Sequence, residues 1–542
     1  MAVILRIINL GSREFWYDEV LSVFLSTGAS HRYSVDSSQP VLLSSYLAAF
    51  QIPAESLVAT ITNLLRGLTT DVHPPFFYLS LHCWRRIFAN SDVAMHGLVA
   101  AFSLGSILGA YGLGKSLLGN RGGLLLAALL GLNPFYLYHS LNLRMYSPLV
   151  FWAILSAWAM VELIETFQSQ STADSSLTPN PYPLTPKILW SIVLILAITA
   201  GMLTQYLFAY WVMTLGIFVL VFDRRRWWLH GLRLGMGVIL FLPWFFWGTR
   251  QQFNNRSDVF RQLSSSETIS LLDHLQDVAN TLGTHLLLGD MATSIPPCLV
   301  TEAGSIVIIL LVILTIALWQ TKDYRNLGIA LVLGIVPLLL ALAVDIAGKK
   351  LTVGFGGGRS LIFILPGCLL LVTVWIEKQK HKWQQLIAGC LLVLYLSINV
   401  VDLSMRPRWM FHQLADIIEQ KSTTPTLIAM NSSAWGHVLR LAYYLSPNLP
   451  VSLLAAKTAD LGTSLEQTLS KKAIAYPRLI WLDLENPVWS KPKTDIEKLK
   501  LVTQIKQAIE SRYQLVSQSH FSGTIDLDNF TANVYQLKAS SQ

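Results

Sequence analysis

Long apolar runs, separated by short basic loops, fill the middle of the chain. A helix needs about 20 mostly apolar residues to cross a bilayer, because lipid offers no partner for backbone N–H and C=O groups. Ten runs meet or approach that length, near 93–114, 122–141, 146–166, 187–204, 206–222, 231–248, 303–320, 326–346, 360–376 and 384–402. The stretch before them mixes short apolar and polar segments. The tail after them changes period: Thr426–Met430 and Leu479–Leu484 are strand-length apolar runs, and 410–421, 433–446 and 494–510 are amphipathic like helices. Such β–α alternation predicts a small α/β domain. No Gly-x-Gly-x-x-Gly opens a helix there, so no nucleotide site is expected. The pattern predicts a polytopic α-helical membrane protein divided as 1–91, an external stretch with interfacial helices, 92–404, the spanning helices, and 405–542, the α/β domain.

Composition narrows this further. Of 542 residues, 53% are hydrophobic and only 13% charged, with a mean hydropathy of +0.47. A soluble surface needs roughly a quarter of its residues charged, so a multidomain soluble enzyme is excluded, as is a disordered chain. Lys plus Arg exceed Asp plus Glu by 40 − 32, a net charge of +8. The basic residues sit between apolar runs, which makes them topology signals rather than a nucleic-acid surface. Lys115 and Arg121, Arg224 to Arg226, Lys322 and Arg325, and Lys378, Lys380 and Lys382 fall on one face, expected to be cytoplasmic. The loop 168–186, with Pro179, Pro181, Pro183 and Pro186, joins them as a flexible connector. Lys349 and Lys350 dissent, in the outer loop 347–358. The first stretch, the loop near 250–302 and the tail are then expected outside the cell membrane. Residues 2–10 form an apolar run broken by Arg6 and too short to span; either a first spanning helix is missing ahead of Met1, which is the expectation, or the chain begins outside, which would need unusual insertion. Cys83, Cys298, Cys368 and Cys390 form no Cys-x-x-Cys pair, so no disulfide framework or zinc site is read.

Several polar residues fall where the membrane meets the outer face. Phe15-Trp16-Tyr17-Asp18-Glu19 sets two carboxylates beside three aromatics. They are either acids at a helix N-terminus or a general base held near the bilayer surface. Thr70-Asp71-Val72-His73-Pro74-Pro75 precedes the amphipathic run Phe76–Phe88, with Arg85 and Arg86, which is expected to lie in the interface. His73 is a turn residue or points into a site. Asn133-Pro134-Phe135-Tyr136-Leu137-Tyr138-His139-Ser140 leads to Asn142, Arg144, Met145 and Tyr146. An arginine entering an apolar helix is costly; it snorkels to the headgroups or meets substrate. Arg359 follows Gly354-Phe355-Gly356-Gly357-Gly358, where glycines allow close approach of backbone to a ligand or simply make a loose loop. His96, near the outer start of the first span, reads as a buried, satisfied histidine.

Taken in order, Tyr17-Asp18-Glu19, Asp71-Val72-His73-Pro74-Pro75, Asn133-Pro134-Phe135 and Arg144-Met145-Tyr146 resemble glycosyltransferase family 39, in its bacterial branch. That family includes protein O-mannosyltransferases and the lipid A aminoarabinose transferase. The resemblance covers roughly 10–402, with Leu242-Pro243-Trp244 and Arg359-Ser360-Leu361 also fitting. No single motif is strong; the order and spacing are what is specific. The resemblance implies a GT-C fold and transfer of a sugar from a polyprenyl-phosphate carrier to an acceptor on the extracytoplasmic face, usually with inversion. It maps the family's Asp-Glu pair onto Asp18 and Glu19. Asp18 would take the acceptor's proton, with Glu19 and His73 orienting. Arg144 and Arg359 would hold the departing phosphate, with His96, Lys349 and Lys350 in reserve. Trp16, Tyr17, Tyr136, Tyr138 and Tyr146 would border the sugar.

The chain departs from the family in three places. Leu141, Asn142 and Leu143 stand where relatives often carry Gln-Glu-Ala before Arg-Met-Tyr, His96 where they carry an arginine, and Gln205 where they carry a histidine. A divalent metal near Asp18 and Glu19 is compatible with two carboxylates, though no ligand spacing argues for one. Expected partners are the lipid-linked sugar, an acceptor that is lipid, polysaccharide or protein, and membrane lipids, with no nucleic acid. Two other readings stand beside the enzyme. A transporter of lipid-linked sugars would more often show charged, broken helices at mid-membrane. An inactive scaffold presenting the tail is kept open by the departures at Asn142 and His96.

Overall fold

The structure is a computed structural model that describes residues 1–8, 10–11, 14–35, 38–173, 185–256, 269–405, 409–470, 476–487, 494–523 and 526–538. Pro179, Pro181 and Pro183 of the expected connector lie outside the described residues. The chain divides into two compact units, Met1–Leu10 with Leu68–Ser404, and Gly11–Gly67 with Met405–Gln542. The stretch 1–91 is thus shared between them.

In the helical unit every expected apolar run is helical. Eight helices are long and apolar enough to cross a membrane among the described residues. Eight replaces ten for two reasons. Phe208–Phe222 has only 15 residues. The first two runs form one continuous stretch, Asp92–Leu132, interrupted at Gly119 with φ 77° and ψ −176°. Gly123 lies so near Gly114 that a Cβ on Gly114 would sit 2.9 Å from the Gly123 Cα. Nine residues of straight helix would separate them by about 13 Å, so the chain turns back at Gly119. A positive φ there suits glycine alone without strain.

Small residues let the first helix meet its neighbour. A Cβ on Gly105 would press on Phe151, on Gly109 against Ile154 and on Gly112 against Trp158. These glycines fall on one helical face and receive the large side chains of Tyr146–Ala173, the close packing expected when lipid gives helices no hydrophobic drive to associate. Two departures from regular helix matter below. Trp227–Trp244 carries Pro243 and runs into a π-helical turn, Phe245–Thr249, before Arg250–Asn255. The run 326–346 is two helices, Tyr324–Gly334 and Val336–Gly348.

The second unit is built on six strands: β1 (Val41–Leu42), β2 (Thr426–Met430), β3 (Val451–Ala455), β4 (Arg478–Leu484), β5 (Tyr513–Ser522) and β6 (Asn529–Leu537). Their order is β1-β3-β2-β4-β6-β5. β2 pairs in parallel with β3 and β4, and the outer pairings are antiparallel. Strand β2 is buried along its whole length, as a central parallel strand covered on both faces must be. One face carries Leu427, Ala429, Trp481 and Tyr535 against Thr458–Ser470 and Asp495–Glu510. Tyr17–Ser26 packs on Trp435–Tyr443. Buried Glu14 caps Met410–Glu419, accepting from the Phe411 N–H at 2.9 Å and the His412 N–H at 2.6 Å. Such a cap satisfies amides that the helix leaves without partners.

Candidate functional site

In the helical unit, Pro74 and Pro75 end the turn that begins at Leu68 and start the helix Phe76–Phe88. The turn carries Asp71 and His73. His73 Nδ1 lies 3.1 Å from Asp71 Oδ2, and the Tyr78 hydroxyl donates to the same oxygen at 2.7 Å. Arg144 reaches across from just before the helix Tyr146–Ala173: Nη2 is 3.4 Å from His73 Nε2, and Nη1 donates to the Tyr78 hydroxyl at 3.4 Å. A guanidinium only donates, so His73 Nε2 accepts and its Nδ1 proton goes to Asp71. Burial alone would raise the Asp71 carboxyl, but His73, Arg144 and the Tyr78 hydroxyl together hold it well below the usual carboxylate range. It is a fixed anion and a poor proton acceptor. Arg144 is 5% exposed.

Arg359 is presented by a strapped glycine loop. Asp345 accepts from the Thr352 N–H at 2.7 Å, the Val353 N–H at 2.9 Å and the Thr352 hydroxyl at 2.6 Å. Thr281 donates to the Val353 carbonyl, and His285 Nε2 to the Gly358 carbonyl, each at 3.1 Å. Burial pulls the His285 ring down to about 3, so it is neutral at ordinary pH. Gly358 has φ 77°, and a Cβ there would strike Thr281. The Arg359 guanidinium then lies 6.0 Å from the Tyr146 ring centre and 5.9 Å from that of Phe355, both within cation–π range. Tyr146 meets the His139 ring edge-on at 5.0 Å.

Two contacting pairs result, His73 with Arg144 and Tyr146 with Arg359, and Arg144 and Tyr146 stand two residues apart in the chain. His96 is buried, and its Nδ1 donates to the Asp92 carbonyl one turn back at 2.8 Å. Lys349 adopts φ 50° at the end of Val336–Gly348, with its side chain exposed. Two members of the cluster carry no role in the expectations drawn from sequence. Asp71 lies in a quoted motif, and its spacing of two from His73 suits a carboxylate–imidazole bond. Tyr78 is hidden in a run whose visible property is amphipathicity.

In the second unit Asp18 and Glu19 open the helix Tyr17–Ser26. Glu19 is buried and its Oε2 accepts from the Trp16 N–H at 2.6 Å, so it caps its own helix. Asp18 is half-buried. Burial raises the Tyr17 hydroxyl, and the neighbouring Asp18 charge raises it further. Tyr17 meets the His437 ring edge-on at 5.0 Å, over Gly436. Among the described residues no three His, Cys, Asp or Glu side chains come close enough to hold a metal ion. A divalent metal at the Asp18–Glu19 pair would need ligands beyond these two carboxylates.

Residues 72–172 match the family model described as dolichyl-phosphate-mannose-protein mannosyltransferase. That segment holds His73, His96, Arg144 and Tyr146; Asp18, Glu19 and Arg359 lie outside it. ArnT from Cupriavidus metallidurans in the apo state is similar with a TM-score of 0.53 at 13% identity, over 99% of this chain and 97% of that one. The chain has the GT-C fold. The same protein bound to undecaprenyl phosphate gives a TM-score of 0.50 at 12% identity, over 98% of this chain and 96% of that one. Identity this low speaks for the fold alone. The resemblance drawn from the motifs and these matches coincide. No curated protein matches the sequence.

Proposed function

We propose that the chain transfers a sugar from a polyprenyl-phosphate carrier to an acceptor at the extracytoplasmic surface, by a single inverting displacement. The observation that carries this reading is the buried Arg144, held by His73 and Tyr78 and two residues before Tyr146, whose ring lies within cation–π range of Arg359. A buried guanidinium at a membrane boundary is expensive and marks a functional site. The ArnT structure with undecaprenyl phosphate supports a polyprenyl phosphate as the carrier.

The acceptor oxygen attacks the anomeric carbon as the bond from that carbon to the phosphate oxygen breaks. The electron pair leaves with the phosphate, already a stable anion, so cations rather than an acid serve the departure. Arg144 and Arg359 fill that role. The acceptor's proton passes to a carboxylate, and Asp18 is our choice, since Glu19 caps the helix and Asp71 is held as a fixed anion. His73 keeps Arg144 oriented, and Tyr146 borders the sugar.

The test is a reconstituted protein given a labelled polyprenyl-phosphate sugar, with sugar release followed over time. Asp18→Asn is expected to abolish transfer while leaving carrier binding intact; normal transfer by that variant removes Asp18 from its role. Movement of the carrier across vesicles with no bond broken would replace the transferase with a transporter.

A further inference from the structure

Gln252 is fully buried in Arg250–Asn255, the helix that follows the π-helical turn Phe245–Thr249. Its Nε2 donates to two backbone carbonyls, Leu68 at 2.9 Å and His73 at 2.8 Å. Its Oε1 accepts from the Tyr206 hydroxyl at 2.5 Å. That hydroxyl in turn accepts from Trp244 Nε1 and from the Thr249 hydroxyl, each at 2.9 Å. The two carbonyls bracket the turn that carries Asp71 and His73. Two further side chains of the same segment hold the turn's middle: Asn255 donates to the Thr69 carbonyl and Arg256 to the Thr70 carbonyl, each at 3.1 Å.

Positions 252, 255 and 256 share one helical face. A π-helical turn adds one residue, rotating everything after it by about 100° relative to an uninterrupted α-helix. The turn between Trp244 and Arg250 thereby aims that face at residues 68–73. Glutamine is the side chain that does this work. It offers two donors and an acceptor at the same tip, whereas glutamate offers no donor when ionised and leucine offers nothing.

We propose that Gln252, braced by Tyr206, is a positioning residue for sugar transfer. It sets the backbone of the turn 68–73, and so the direction from which His73 holds Arg144. The link to transfer rests on the reading of the His73–Arg144 cluster as the carrier-phosphate site; the clamp on the turn does not.

The experiment uses the full chain in lipid nanodiscs, with Gln252→Leu, Gln252→Glu and Tyr206→Phe. Amide hydrogen exchange of 68–76 is read separately from transfer of a labelled polyprenyl-phosphate sugar. Gln252→Leu is expected to speed exchange in 68–76 at least tenfold, with Tyr146–Thr166 unchanged, and to lower kcat at least tenfold. Gln252→Glu is expected to be as poor near neutral pH and to regain activity as pH falls, because a protonated carboxyl donates again; uniform loss of folding would give no such recovery. Tyr206→Phe keeps both donors of Gln252 and is expected to have the smaller effect. Unchanged exchange in 68–76 for Gln252→Leu, no recovery of Gln252→Glu at low pH, or a larger effect from Tyr206→Phe overturns the clamp. Faster exchange with undiminished transfer leaves the clamp standing and refutes the role given to the His73–Arg144 cluster.

Discussion

Each unit buries an arginine beside an aspartate, and the two are arranged differently. In the α/β unit Arg440 grips Asp528 directly, at 2.6 and 3.1 Å, with its guanidinium 4.3 Å from the Phe411 ring centre. In the helical unit Arg144 is tied to Asp71 through His73 and Tyr78. A direct bidentate pair spends both charges on each other and locks two segments together. A relayed pair orients the guanidinium while its charge is not cancelled by contact with that carboxylate. The first arrangement suits a fold, and the second holds a guanidinium in place through intermediaries, as the anion-binding role we propose for Arg144 requires.

Breaking each arrangement in turn tests this contrast. Arg440→Leu leaves Asp528 buried and unpaired and is expected to destabilise the α/β unit by about 3–5 kcal/mol, read by denaturant unfolding. Arg144→Ala is expected to lower kcat by about 10²–10³, as loss of a group stabilising developing charge does. Its melting temperature should shift less than that of Arg440→Leu; the reverse order of stability losses would dissolve the contrast. Asp71→Asn frees His73 from its fixed tautomer and should lower transfer by less than Arg144→Ala, in the same sugar-release assay.

Two groups of the α/β unit sharpen the picture through pH. Burial pulls His437 down to about 4, with Nε2 donating to the Leu527 carbonyl. Its folded value lies below the unfolded one of about 6.5, so its contribution is complete above pH 6.5 and is lost as pH falls toward 4. Burial pushes Asp483 up to about 6, against the pull of Lys498 and Lys506. A raised carboxyl contributes fully below the unfolded value of about 3.9 and less as pH rises through 6. The two slopes oppose each other between pH 4 and 6. Asp483→Asn is therefore expected to steepen the loss of stability on acidification, and His437→Gln to flatten or invert it, measured as unfolding midpoints at several pH values. The smallest effect is expected from Gly119→Ala, on the order of 1–3 kcal/mol from strain at a positive φ with extended ψ, a region that only glycine enters freely.

The spans were legible because hydrophobicity is read locally. A lipid-facing helix must be apolar over its own length, whatever it packs against. The basic residues Lys115 and Arg121 even bracketed the place where the chain turns back. The central strands β2 and β4 were legible for the same reason, being buried on both faces. The assignment of 11–67 to the α/β unit was hidden, since it rests on contacts such as β1 with β3, across some four hundred residues. The Asp18–Glu19 pair shows the limit most sharply. Sequence offers two like carboxylates, and only the 2.6 Å bond to the Trp16 amide tells the cap from its neighbour.

What the amino-acid order determined by itself was the medium of the fold and the residue types at its helix ends: ten apolar runs, an α/β tail, and arginines where an apolar helix begins. Tertiary structure decided which of those polar groups meet. Tyr78, Gln252 and the strap from Asp345 to Gly358 act through hydrogen bonds, which depend on ångström-scale placement of groups far apart in sequence. Burial of apolar surface is non-directional and leaves its mark in the local pattern; a directional bond between distant residues leaves none.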